Sequence, residues 1–315
     1  MGTAHIQESS LTAIANAIRS KNGSSSTYTP TQMATAISDL PSGTTVVSKY
    51  NVTIDAVLGD TNGSNVLQQP TGADTDIIFT DVEDVATYAL HYKFSRNLKI
   101  RSVSFPDLTN ITTAYALYYM CYYASNVASI SFPVLESITG SNAMANAFYY
   151  CTALTSASFP ELTTMTGTSA MSYMFSSCSN LETVSFPKLK TIGPSSSAST
   201  NNRHFYQAFN NCTKLESVTF PELETVYCNG NGTTYGTFAS NNKVKKFYFP
   251  KLTTMTYTSN YTNANKAQPL ENMFASCSAL TEIHFALTNK TAVEAMVGYS
   301  TAWGAPSGCQ ILFDL

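Results

Sequence analysis

The chain has 315 residues, 43% of them hydrophobic, which is enough for a sizeable core and too apolar for a disordered chain. Charged residues make up only 12% and the net charge is −3, so no basic surface is available to track a nucleic-acid backbone. Polarity comes instead from Thr (42), Ser (37) and Asn (24), about a third of the residues.

In chain order, the first twenty residues lack both a basic n-region and an unbroken apolar h-region, so no secretory signal is expected there. Leu11, Ile14, Ala15 and Ile18 mark one amphipathic helix, with Gly23 as its stop. Thr29-Pro30-Thr31-Gln32 reads as a capped start of a second helix carrying Met33, Ile37 and Leu40. Residues 1–43 are thus expected to form a helical hairpin used for attachment or oligomerisation. The wording IANAIRSKNGSSSTYTPTQMATAI resembles the N-terminal segment of tail-associated proteins of phages and prophages. That resemblance implies that the segment contacts other tail proteins, and homo-oligomer formation is one further use of it. Residues 44–75 read as a β bridge with turns at Asn62-Gly63 and Thr71-Gly72. Asp60, Asn62 and Asn65 look like half a calcium loop but lack the closing Glu, and no metal site is expected. Asp74, Asp76, Asp81, Glu83 and Asp84 read as a solvated acidic edge.

From about Asp76 to residue 290 the chain repeats. Phe-Pro pairs start at Phe105, Phe132, Phe159, Phe186, Phe220 and Phe249, followed by Phe285-Ala286, at spacings of 27, 27, 27, 34, 29 and 36. A period in this range marks a solenoid, because a single coil cannot bury its own apolar face. One unit reads Cys151-x-x-Leu154-x-x-Ala157-x-Phe159-Pro160-x-Leu162-x-x-Met165, with an aromatic or similar residue three positions before the Cys. The alternating piece before Phe-Pro predicts a short strand ended by proline. Outward strand positions are then Ser102/Ser104, Ser129/Ser131, Ser156/Ser158, Thr183/Ser185 and Ser217/Thr219, changing at the last rungs to Lys246/Tyr248 and Glu282/His284. The longer spacings come from insertions at 193–206, 227–237 and 255–271, rich in Ser, Thr, Asn, Tyr and Gly, a composition suited to adaptable recognition loops. Residues after each Pro (Asp107, Val134, Glu161, Lys188, Glu222, Lys251) alternate in sign from Glu161 onward, which suits register keeping rather than catalysis.

Ala147-Phe148-x-x-Cys151 and Ala208-Phe209-x-x-Cys212, with the strand motif, resemble the BspA-like type of leucine-rich repeat. The expected fold class is an α+β repeat solenoid: short parallel strands at 76–290, a small N-terminal helical hairpin, and a C-terminal cap at 291–315 with a short helix at 291–297, a last strand at 309–315 and Trp303 packed beside it. Cys151, Cys178, Cys212 and Cys277 share a register. That register admits either a stack of buried thiols or disulfide-range neighbours, and Asn97, Ala124 and Asn241 at the same register favour the former.

No HExxH, GxSxG, P-loop or GxGxxG motif is present and the four His are scattered, so no enzyme and no cofactor are expected. No run of 18 apolar residues occurs, so no membrane span is expected. Candidate ligand-binding residues are Lys246, Tyr248, Glu282 and His284 on the last strands, with His204, Tyr206, Tyr235, Tyr257 and Tyr261 in or beside the inserted arms. The expected function is that of a phage tail-tip or fibre protein recognising a host cell-surface glycan or protein. A bacterial cell-surface adhesin and a purely structural spacer are the alternatives, with the virion or the bacterial surface as the corresponding location.

Overall fold

The computed structural model describes residues 48–52, 75–79, 82–193, 203–228, 236–257, 273–296 and 299–315. Ser48–Leu315 forms one compact unit. The expected helical hairpin, the half calcium loop, and Tyr235 and Tyr261 lie outside the described residues.

Each coil has three sides. The first side carries β2 (Thr75–Phe79), β3 (Ile100–Ser104), β5 (Ser129–Ser131), β7 (Ser156–Ser158), β9 (Thr183–Ser185), β11 (Ser217–Thr219), β13 (Lys246–Phe249), β15 (Glu282–Phe285) and β16 (Gln310–Phe313). The second carries the shorter β4 (Asn110–Ile111), β6 (Ser137–Ile138), β8 (Thr164–Met165), β10 (Thr191–Ile192), β12 (Thr225–Cys228) and β14 (Thr254–Tyr257), hydrogen-bonded as one unbroken sheet. All strand pairings among the described residues are parallel, and β1 (Ser48–Val52) adds to β2. The predicted alternation holds: Ile130, Ala157 and Val184 point inward while their Ser and Thr neighbours point out.

The third side is built differently. Residues 87–96 and their counterparts at 114–123, 141–150 and 168–177 are not helices, and with so little helix among the described residues the α+β label is not confirmed. Alternate N–H groups cross to the next coil (Leu90 to Ala116 O, Tyr92 to Tyr118 O, Phe94 to Met120 O, Arg96 to Tyr122 O). The N–H groups between them close i→i−3 turns, as His91 to Tyr88 O and Lys93 to Leu90 O. Every fourth residue takes a left-handed conformation: Tyr88, Tyr92 and Arg96, then Tyr115, Tyr119 and Tyr123, then Asn142, Asn146 and Tyr150, at φ between 54° and 61°. A non-glycine residue there costs about 1–2 kcal/mol, and the inter-coil hydrogen bonds offset that cost. Among the described residues the one α-helix is α1 (Lys290–Glu294), in the cap. The structure is therefore a parallel β-solenoid of about seven turns, capped by α1 and β16, with Trp303 buried 5.8 Å from Phe285.

Two aromatic columns run through the core. Phe79, Phe105, Phe132, Phe159, Phe186, Phe220, Phe249 and Phe285 stack in sequence at centroid distances from 4.2 to 6.2 Å. Phe148, Phe175, Phe209, Phe238 and Phe274 form the second at 5.5–5.9 Å. Beside the latter, each thiol donates to a backbone carbonyl one coil back: Cys151 to Cys121 O, Cys178 to Phe148 O, Cys212 to Phe175 O and Cys277 to Phe238 O, at 2.8–3.3 Å. Asn241 fills the same register and donates through Nδ2 to Phe209 O at 2.9 Å. The register thus takes small side chains, and its cysteines are free thiols. The sign-alternating surface residues form separate pairs, Lys188–Glu161 at 2.5 Å and Lys251–Glu222 at 2.6 Å, and both are exposed.

Two predictions follow from the packing. Burial raises the thiols of Cys178 and Cys277 to about 12 and those of Cys151 and Cys212 well above their usual value. These thiols will stay unreactive toward DTNB until the chain unfolds, and reductant will leave the Tm unchanged. At Gly167 a Cβ would overlap the backbone carbonyl of Gly140 on the preceding coil. Gly167→Ala should therefore cost about 1–3 kcal/mol in chemical denaturation.

Candidate recognition surface

Register places Ser102 beside Ser129 and Ser104 beside Ser131, then Ser156, Thr183 and Ser217 beside one another, so the early strand face is a pavement of small hydroxyls. At its acidic start Asp76 accepts from the Ser102 hydroxyl at 2.5 Å and pairs with Arg101 at 3.3 Å. The pavement ends at β11. That strand and β13 belong to separate hydrogen-bonded ladders, and between them opens a groove of about 950 Å³ bordered by Glu216, Lys243, Lys245, Lys246 and Tyr248.

Beyond the groove the last strands bring four of the expected residues together. Lys246 Nζ lies 2.7 Å from Glu282 Oε2, which also lies 2.8 Å from His284 Nε2. His284 Nδ1 is 2.7 Å from Asp314 Oδ1, a partner contributed by the cap that the repeat alignment missed because it follows the last Phe. The Tyr248 ring stacks on the imidazole at 4.6 Å and 20°. Tyr248 is 47% exposed and His284 only 6%, so the tyrosine ring is open to solvent while the histidine supports it from below. The ammonium of Lys246 holds the Glu282 carboxyl below its usual range, and the carboxylate in turn raises Lys246.

The other candidates are dispersed. Tyr206, on the third side, meets Tyr173 edge-on at 5.2 Å with the Arg203 guanidinium 4.7 Å from its ring. Tyr257 ends β14. His204 is fully buried, its Nδ1 2.7 Å from Gly167 O, and among the described residues its Nε2 meets no partner. Desolvation lowers its pKa from 6.5 to about 4. Between those values the unfolded chain binds a proton that the folded chain does not, so stability must fall as pH drops from 6.5 toward 4. Thermal melts across that range should show the loss, and His204→Gln should flatten it.

Residues 76–204 match the family profile described as BspA type leucine rich repeat region, in six copies. Among solved structures, a leucine-rich repeat protein of T. pallidum is 19% identical, covering 52% of this chain and 76% of its own, with a TM-score of 0.30. One from Bacteroides ovatus is 17% identical, covering 77% of this chain and 61% of its own, with a TM-score of 0.31. No curated protein matches. With its coil-by-coil strands in place, the segment 76–204 is similar to the BspA type of leucine-rich repeat region.

Proposed function

We propose that the chain is a receptor-binding protein that attaches its carrier to a cell surface by recognising a glycan or protein through the repeat array. The observation carrying this reading is the change at the end of the strand face. Five rungs of hydroxyls lead to an open groove flanked by three lysines and by a half-exposed tyrosine braced on a buried, doubly hydrogen-bonded histidine. A pre-set aromatic beside an open groove spends little entropy on ordering when a partner docks. A phage tail tip is the favoured carrier because of the N-terminal wording at residues 14–37. A bacterial surface adhesin would use the same face.

Attachment of the labelled full chain to candidate host cells tests the proposal. Tyr248→Ala should weaken attachment about tenfold or more, as expected for a central aromatic contact, with an unchanged Tm. Attachment unaffected by Tyr248→Ala and by Lys246→Glu would overturn the strand face as the binding surface.

A further inference from the structure

The third side carries a surface that the strand-face argument does not use. Its outward positions in the first coils are tyrosines in register. Tyr88 stacks on Tyr115 at 4.8 Å and 8°, and Tyr92 on Tyr119 at 4.6 Å and 9°. Continued by one rung, the Tyr92–Tyr119 stack reaches the next coil. That coil has Asn146 where the stack would place another ring, and the coil after it has Tyr173. At about 4.8 Å per rung, Tyr119 and Tyr173 stand about 10 Å apart with one ring layer missing between them. Alongside, the Tyr118 position becomes Ala145 and then Ser172 before returning to Tyr206. The missing side chains leave an open trough of about 510 Å³.

Its chemistry is mixed. The walls are aromatic, the floor offers the Asn146 amide and the Ser172 hydroxyl, and the lip carries Arg203, the one charged residue of the lining. Among the described residues Arg203 has no carboxylate partner, and its guanidinium rests against Tyr206 at 4.7 Å. Burial pushes Tyr119 and Tyr173 up to about 12, so both phenols stay neutral, hydrogen-bonded to Tyr118 and Tyr206.

We infer that this trough binds an acidic oligosaccharide, one sugar ring filling the vacant layer against Tyr119 and a carboxylate-bearing neighbour reaching Arg203. A pyranose has an apolar face for the tyrosine ring and a rim of hydroxyls for the amide and hydroxyl floor. Those complementary donors and acceptors favour a sugar over a purely apolar ligand, and the guanidinium, without a carboxylate partner among the described residues, favours an acidic one. The inference deepens the proposed recognition role by naming a second site and its ligand class.

The test uses the full chain on a panel of immobilised oligosaccharides, some with uronic or sialic acid residues and some neutral. Acidic members should be retained over neutral ones. Ala145→Tyr and Ser172→Tyr fill the trough from its buried floor with the residue that other coils carry at this backbone position, while Arg203→Gln, at the exposed lip, needs no repacking. Each refilled variant should lose oligosaccharide binding by at least about tenfold. Arg203→Gln should erase the preference for acidic members. Absence of binding to any member of the panel, or full binding by both refilled variants, overturns the trough. Cell attachment that survives Ala145→Tyr but falls with Tyr248→Ala would overturn the trough as the attachment site while leaving the strand-face proposal standing.

Discussion

Hydrogen bonds from each coil to the next are the constraint on which everything else in this protein rests. On the strand sides they are ordinary parallel pairings. On the third side every second N–H crosses to the following coil, and the chain accepts a left-handed residue every fourth position in order to aim them. With a common rung spacing imposed on all three sides, any residue type repeated in sequence must stack on itself. The phenylalanine columns, the thiol register and the exposed tyrosine stacks are consequences of that one spacing.

Side chains then adapt to a neighbour that is a copy of themselves. Large planar rings succeed in the interior because parallel stacking at about 5 Å is favourable for them, by roughly 0.5–1.5 kcal/mol per pair beyond burial. A cysteine succeeds beside them because its thiol is small and still donates to the carbonyl behind it. Asn241 does the same with an amide. Charges are used sparingly and in pairs at the exposed corners, where each is worth little. Glycine appears where two coils touch backbone to backbone, at Gly140 and Gly167.

The first strand side was legible in the sequence because strand periodicity and the Phe-Pro stop are local signals, whereas the second, with strands as short as Asn110–Ile111, carries too few residues to show a period. Ser102, Ser129 and Ser156 face outward as alternation requires, and Lys246, Tyr248, Glu282 and His284 meet because they occupy equal positions on paired strands. Asp314 was not legible, since it enters from the cap beyond the last repeat. The third side was not legible either. Its inward residues, such as Leu90 and Phe94, recur every four positions, which is close to the period of a helix. What separates the two is the direction of alternate N–H groups, and that depends on the neighbouring coil rather than on the local chain. The tyrosines at 88, 92, 115 and 119 therefore carried no site signal until their coils were stacked.

The left-handed positions have a further consequence. Tyr119, Asn146, Tyr173 and Gln207 occupy one and the same backbone station on successive coils, and Tyr123, Tyr150, Ser177 and Asn211 another. A station that holds side chains so different in size and polarity places almost no demand on their identity, because its geometry is fixed by main-chain bonds alone. The outer surface of this side can consequently be rewritten one residue at a time without disturbing the columns beneath. Substitution at these stations can thus change the chemistry of that surface while keeping how the chain folds.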